Sequence, residues 1–158
     1  MRRPLSLLAL AAVIGLVQGC AAQRGLVSED GPFTWGLGEQ PLRVLLGVED
    51  TDDVYLGWVC EPGTVTLMSP YDEAGGAPLR LRSGSVEASY PLRPMQDVEG
   101  AEATTTLSDP VLQGFRKTGR LSKVAEGGRA TPLDARTPAE RAAIERFITA
   151  CPAVQRKP

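Results

Sequence analysis

Apolar and polar side chains alternate along most of the chain after residue 33, which is the two-residue period of a half-buried β-strand. The clearest run places Val54, Leu56, Trp58 and Cys60 on one face of a predicted strand. Glycine and proline interrupt the pattern about every ten residues. Further strand candidates lie at residues 43–49, 64–68, 79–82, 86–90, 104–107 and 121–125. Short strands at this spacing predict a small antiparallel β-sandwich or a partly open barrel.

Two segments carry helix signals instead. Asp109 is placed to cap a short helix that begins with a proline, and Gly119 lies just beyond its end. Thr137 and Glu140 form a capping box at the start of a second helix. Pro152 is predicted to end this helix, whose apolar face carries Ile144, Phe147, Ile148 and Cys151. The predicted fold class is therefore mainly β (α+β), with a short helix and a C-terminal helix packed on the strands.

The N-terminus of the chain follows a different pattern. Arg2 and Arg3 precede an apolar run over residues 5–17, and this run ends at Gly19 and Cys20. A positive start, roughly 7–15 apolar residues and a small-residue cleavage site are typical of an export signal. A membrane-spanning helix needs about 20 apolar residues, and this run is shorter. We therefore expect an exported protein from which the signal is removed.

The segment Leu16-Val17-Gln18-Gly19-Cys20 resembles the lipobox of bacterial lipoprotein precursors. The resemblance implies cleavage before Cys20 by the lipoprotein signal peptidase and a diacylglyceryl group on the Cys20 thiol. Two acyl chains hold a protein stably on a membrane surface. Ala21 and Ala22 follow the cysteine, which resembles the family's default for the periplasmic face of the outer membrane. The alternative is an ordinary secretory signal that ends near Gly19 or Ala22.

These signals divide the chain into four predicted parts. They are the signal peptide at 1–19, a lipidated N-terminus and flexible tether at 20–32, a single β-rich domain with a C-terminal helix at 33–152, and a disordered tail at 153–158. The length that remains after the signal corresponds to one domain.

The chain contains no histidine. Because Ser-His-Asp catalysis, Cys-His catalysis and His-ligated zinc all require that residue, these classes of site are excluded. No spacing of Asp and Glu singles out an acid–base pair, so we expect no catalytic residue and no enzyme; a carboxylate-based hydrolase is the alternative. The formal net charge is −2 without a basic cluster, so no nucleic-acid partner is expected. No cofactor is expected either, apart from the covalent lipid on Cys20.

Residues 49–53, Glu-Asp-Thr-Asp-Asp, concentrate carboxylates in a short segment. Oxygen ligands suit calcium, but the Gly and Glu that an EF-hand loop needs at its sixth and twelfth positions do not fall in place. We expect an acidic turn between two strands and no metal site, with calcium binding as the alternative.

Cys60 and Cys151 are the cysteines that remain once Cys20 is assigned to the lipid. In an exported protein such a pair predicts a disulfide; a free reactive thiol or two separate buried thiols are the alternatives. The exported part also resembles small periplasmic β-domains, some linked to secretion systems or inhibitors, in which one cysteine follows a strand tryptophan and another ends the last helix. This resemblance implies no catalytic residue, and it rests on Trp58, Cys60, Phe115, Gly119, Phe147 and Cys151.

Three features indicate binding surfaces, and each has a structural alternative. Arg80, Arg82 and Arg93 form a positive stripe for an anionic ligand, or else the solvated face of a strand. Trp58 is a ligand platform or a core aromatic beside the disulfide. The loop at residues 71–73 is the candidate for entering a foreign active site. We expect a non-catalytic binding or structural module of the cell envelope, with an envelope protein or the cell wall as partner. The alternatives are a periplasmic inhibitor of a hydrolase and a secretion-system accessory lipoprotein.

Overall fold

The structure is a computed structural model that describes residues 26–70, 72, 76–96 and 100–155. Several predictions fall outside the described residues: the signal peptide, the lipidation of Cys20, the first part of the tether, Tyr71 and Glu73 of the loop, and the last three residues of the tail.

Ten β-strands and two α-helices make up the described part of the chain. The strands are β1 (Thr34–Glu39), β2 (Leu42–Gly47), β3 (Val54–Glu61), β4 (Thr64–Ser69), β5 (Leu79–Ser83), β6 (Val86–Tyr90), β7 (Arg93–Pro94), β8 (Ala101–Thr105), β9 (Ser122–Val124) and β10 (Ala130–Pro132). The helices are α1 (Pro110–Thr118) and α2 (Pro138–Gln155), and a 3-10 turn covers Glu126–Gly128.

The strands form two antiparallel sheets. The larger sheet has the order β1-β2-β3-β4-β8-β7, and the smaller has the order β10-β9-β5-β6. Helix α2 packs on β1, β2 and β3, whereas α1 packs on β5 and β6. The predicted mainly β fold with a short helix and a C-terminal helix is confirmed.

Strand β3 follows the predicted alternation except at its start. Leu56, Trp58 and Cys60 are buried in the core as expected. The register between β2 and β3 shifts at this start. Leu46 is paired with Leu56, but Gly47 is paired with Val54, so Tyr55 is an extra residue of β3. Such a bulge changes the face to which side chains point. Val54 was predicted to share the face of Leu56, and this was wrong, because it lines a surface cleft beside β2 instead.

The segment before β1 forms a hydrogen-bonded turn. The N–H of Phe33 donates to the carbonyl of Leu26 at 3.2 Å, and the N–H of Ser28 donates to the carbonyl of Gly31 at 2.8 Å. Leu26 and Phe33 pack against the core. Residues 26–32, the last part of the predicted tether, are therefore attached to the domain.

Both helices begin at the predicted caps. The Asp109 carboxylate accepts the N–H groups of Val111 and Leu112 at 2.9 and 3.0 Å, and Gly119 ends α1 with a φ of 66°. Helix α2, however, continues through Pro152 to Gln155, so the prediction that Pro152 ends the helix and that the disordered tail begins after it was wrong. A proline removes one backbone donor, and here the chain keeps its helical path in spite of that loss.

Three aromatic rings occupy the centre of the core. Trp58 is fully buried, with its ring centroid 5.7 Å from that of Trp35 and 6.0 Å from that of Phe115. The indole N–H of Trp35 donates to the carbonyl of Leu133 at 2.8 Å. Trp58 is therefore a core aromatic, which is the simpler of the two interpretations of the sequence, and not a ligand platform.

A disulfide joins Cys60 at the end of β3 to Cys151 near the end of α2. The two Cα atoms are 5.7 Å apart and the sequence separation is 91 residues, within the normal range of Cα distances for a disulfide. The predicted pairing is confirmed, and the bond fixes the helix to a central strand. None of the helices described here combines the length and apolar character required to cross a bilayer.

Candidate functional site

The beginning of α2 meets the free edge of β1 through Glu140. The side chain of Glu140 is 7 % exposed, and its carboxylate accepts the backbone N–H groups of Trp35, Arg136 and Thr137 at 3.2, 2.8 and 2.7 Å. Burial raises the pKa of the Glu140 carboxyl, but the three N–H donors and the Thr137 side chain outweigh burial, so the net pKa is below its usual range. The carboxylate is thus ionised and fully used in holding the helix to the strand.

A cleft of about 490 Å³, lined by both polar and apolar groups, opens beside this contact. Gly36, Gly38 and Gly47 contribute to its lining, so the backbone of β1 and β2 is uncovered there. The side chain of Arg43 lies across β1, and a Cβ on Gly38 would come within 2.7 Å of the Arg43 Nε. A larger residue at position 38 would therefore displace the Arg43 side chain from its position across β1.

The acidic segment at 49–53 forms the turn between β2 and β3, as predicted, and contributes Glu49, Thr51 and Asp53 to the same cleft. The turn is closed by a hydrogen bond from the N–H of Val48 to the carbonyl of Asp53 at 2.9 Å. Within the described ranges, no three or more Cys, Asp or Glu side chains come together as a metal-binding group.

A second depression, which we call the β1–α2 groove, lies between the β1–β2 hairpin and the C-terminal half of α2. Its volume is about 610 Å³, and its lining residues are Leu37, Glu39, Leu42, Glu145, Arg146, Thr149 and Ala150. The two leucines are half-buried and pack against the core. The lining surface is mainly apolar, with charged groups among it. Apolar surface with charged groups around it is also the composition of many protein–protein interfaces.

The charged residues of the β1–α2 groove differ in their partners. Glu145 accepts a hydrogen bond from Arg116 Nε at 2.7 Å, and this contact lowers the pKa of the Glu145 carboxyl. No ion pair joins Glu39 or Arg146 to another residue in the part of the chain that the structure describes. A carboxylate on the strand side and a guanidinium on the helix side are therefore available to a partner.

The predicted arginine stripe is occupied by ion pairs. Arg80 and Arg82 both contact the carboxylate of Glu87, the latter with Nε at 2.8 Å from Oε2. Their hydrogen bonds lower the pKa of the Glu87 carboxyl. Arg93 pairs with Glu102 at 3.1 Å on the other sheet. The three arginines thus do not form one stripe, and the interpretation as the solvated faces of strands is the one that the structure supports.

The predicted inhibitor loop is described only at Asp72. Its carboxylate accepts a hydrogen bond from the Ser69 hydroxyl and is paired with Lys123 Nζ at 2.7 Å. Lys123 also lies 5.5 Å from the centroid of the Tyr55 ring. The Asp72 side chain is therefore engaged within the domain, which leaves it unsuited to enter a foreign active site.

Comparison with known proteins gives little further information. No protein-family model matches the chain, and no curated protein sequence matches it. Among solved structures, the chain is similar to invasion associated protein B from Bartonella henselae, with 16% sequence identity and a TM-score of 0.45. The match covers 78% of this chain and 93% of that one. A similarity at this level supports no inference about the function of this chain.

Proposed function

We propose that this protein is a bacterial envelope lipoprotein, anchored by lipid on Cys20 to the periplasmic face of the outer membrane, whose β-domain is a non-catalytic binding module. The observation that carries the proposal is the order of a charged start, a short apolar run and the lipobox-like Leu16-Val17-Gln18-Gly19-Cys20. Two acyl chains are sufficient for stable anchoring.

The buried disulfide supports export. Cys60 and Cys151 are 2 % and 0 % exposed, respectively, and their bond joins β3 to α2. Disulfides form and persist outside the reducing cytosol, in compartments such as the bacterial periplasm. The pair is thus suited to a protein that folds after crossing the inner membrane.

The connection between the proposed lipid and the domain is short. The carbonyl of Leu26 accepts a hydrogen bond from the N–H of Phe33, the residue before β1. Leu26 lies six residues after Cys20. Six residues span at most about 20 Å, whatever their conformation. The β1–α2 groove is lined by Leu37 and Glu39, which belong to the second half of β1. The proposed anchor therefore joins the domain near the start of β1, whereas the groove lies near the other end of the strand.

The groove is our candidate for the binding surface. Its floor is aliphatic, and the charged groups Glu39 and Arg146 lie among its lining residues. The cleft beside Glu140 is less suited, because the buried carboxylate of Glu140 is already occupied by the backbone of α2 and β1. Apolar floors with charged rims are typical of protein-binding surfaces.

The lipid anchor is tested by metabolic labelling with a palmitate analogue. The wild-type precursor should be labelled and found with the outer membrane, whereas Cys20→Ser should remove the label and leave uncleaved precursor or released protein. Ser28→Ala, after the proposed cleavage site, serves as the matched control and should label like the wild type. Label that persists in Cys20→Ser, or a wild-type protein without label, would contradict the proposal.

A further inference from the structure

We propose that the β1–α2 groove binds the same groove of a second copy of this chain, so that the protein forms a two-fold symmetric dimer. The inference rests on the groove as the binding surface proposed above, and it is independent of the lipid on Cys20.

The first argument is the apolar character of the groove. Leu37 and Leu42 are half-buried, and Ala150 beside them is exposed on α2. Apolar surface that a partner covers contributes to association in proportion to its area. Two copies of the groove would bring these aliphatic side chains together and remove them from water.

The second argument is the arrangement of the free charges. Glu39 belongs to β1 and Arg146 to α2, so the two charges lie on opposite walls of the groove. Neither is in an ion pair with any residue in the described ranges. In a two-fold interface, the residues of one surface contact their counterparts reciprocally. Glu39 of each copy would face Arg146 of the other, which gives two matched pairs.

This self-complementarity distinguishes a second copy from simpler occupants. A purely cationic ligand would pair with Glu39 but bring a like charge towards Arg146, and an anionic ligand would do the reverse. Like charges that face each other across an interface repel, so they weaken the binding of such a ligand. Apart from Glu145, which is paired with Arg116, the groove carries one charge of each sign, and its own copy supplies both counter-charges in the same contact.

The position of the groove also suits two copies on one surface. It opens beside β1, the edge strand of the larger sheet, and β1 runs from the Leu26 contact towards Glu39. A two-fold axis parallel to the strands would keep both Leu26 ends on the same side. Both copies can therefore be attached to one membrane while their grooves meet.

The test is a charge exchange in the full lipoprotein, solubilised in detergent and measured by analytical ultracentrifugation over the micromolar range. Glu39→Arg and Arg146→Glu each place like charges opposite one another and should weaken the dimer about tenfold or more. The double variant restores opposite charges and should dimerise like the wild type. The control is Arg129→Glu, an exposed substitution at the end of the 3-10 turn, which should leave the dimer unchanged.

Circular dichroism of all four variants verifies that each is folded. A monomeric wild type overturns the proposal. A double variant that dimerises no more tightly than the single variants also overturns it, as does an Arg129→Glu variant whose dimer is weakened as much as theirs. Palmitate labelling of the same samples reports the lipid anchor separately. Failure of the dimer with intact labelling would therefore leave the lipoprotein proposal standing.

Discussion

Glu140 and Trp35, which are 105 positions apart in the sequence, are joined by a hydrogen bond from the backbone N–H of Trp35 to the Glu140 carboxylate at 3.2 Å. Trp35 belongs to β1, an edge strand of the larger sheet. The carboxylate therefore occupies a donor that another strand would otherwise pair with. Because the same carboxylate caps α2, one side chain both begins the helix and closes part of the sheet edge.

We expect Glu140→Gln to destabilise the domain in a pH-dependent way. The hydrogen-bond donors hold the pKa of the Glu140 carboxyl below its usual range, in spite of burial. Its contribution to stability is therefore fully present above the unfolded-state pKa and is lost as the pH falls through the folded-state pKa. At neutral pH the variant should lose about 1–3 kcal/mol of unfolding free energy, the usual cost of a disrupted buried hydrogen-bonding group.

Urea unfolding at neutral and acidic pH measures this effect. The difference between wild type and Glu140→Gln should narrow as the pH falls below about 4. Glu126→Gln, an exposed substitution in the 3-10 turn, is the control and should change stability little at either pH. A Glu140→Gln difference that stays constant over the pH range would contradict the assigned role.

The core-facing positions of β3 were predictable because its large apolar side chains recur at every second residue. Leu56, Trp58 and Cys60 of β3 lie in the core, with Glu61 exposed at its end. The capping box was equally local, since Thr137 and Glu140 are three residues apart and bond each other's backbone. Signals of this kind are contained within one turn or one strand, so they can be read from the sequence.

The rest of the site depends on contacts between distant segments. Strand β1 carries Gly36 and Gly38, which have low strand propensity, and it was not delimited from the sequence. The β1–α2 groove joins residues 37–42 to residues 145–150, and no local pattern indicates that these segments meet. A polar edge contact such as that of Glu140 with Trp35 is likewise visible only once the helix lies beside the strand.

We expect removal of the disulfide to lower stability strongly. The bond between Cys60 and Cys151 encloses a separation of 91 residues, for which chain entropy gives an upper value of about 4–5 kcal/mol. The double variant Cys60→Ser, Cys151→Ser leaves no free thiol in this part of the core and should lose about 2–4 kcal/mol. Thermal unfolding followed by circular dichroism measures the change, with Thr149→Ser on the exposed face of α2 as control. An unchanged melting temperature in the double variant would refute this expectation.

The two core tryptophans should respond differently to replacement by phenylalanine. Trp35 donates its indole N–H to the carbonyl of Leu133 at 2.8 Å, so Trp35→Phe leaves a buried carbonyl without this donor. The indole N–H of Trp58 has no hydrogen-bond partner among the described residues, so Trp58→Phe removes an unsatisfied donor. With a similar loss of volume in both, Trp35→Phe should cost about 1–2 kcal/mol more than Trp58→Phe. Chemical denaturation of the two variants provides the comparison, and the reverse order would count against it.

We expect the residue after the proposed lipidated cysteine to determine the membrane that holds the protein. Ala21 follows Cys20, which resembles the outer-membrane default of lipoproteins, whereas an Asp at this position resembles the inner-membrane retention signal. Ala21→Asp should therefore move the protein to the inner membrane on density fractionation. Ala21→Ser is the matched control and should stay with the outer membrane. An inner-membrane location of the wild type would exclude this sorting hypothesis.

The disulfide also determines how the domain responds to proteases. Every element from β4 to β10, together with α1 and most of α2, lies between Cys60 and Cys151 in the chain. A protease that cuts once anywhere within this interval produces two polypeptides that stay covalently linked through the two cysteines. The cut protein would migrate as one species on a non-reducing gel and as two after reduction. A single cleavage within this interval therefore releases no fragment, because the disulfide holds the two polypeptides of the domain together.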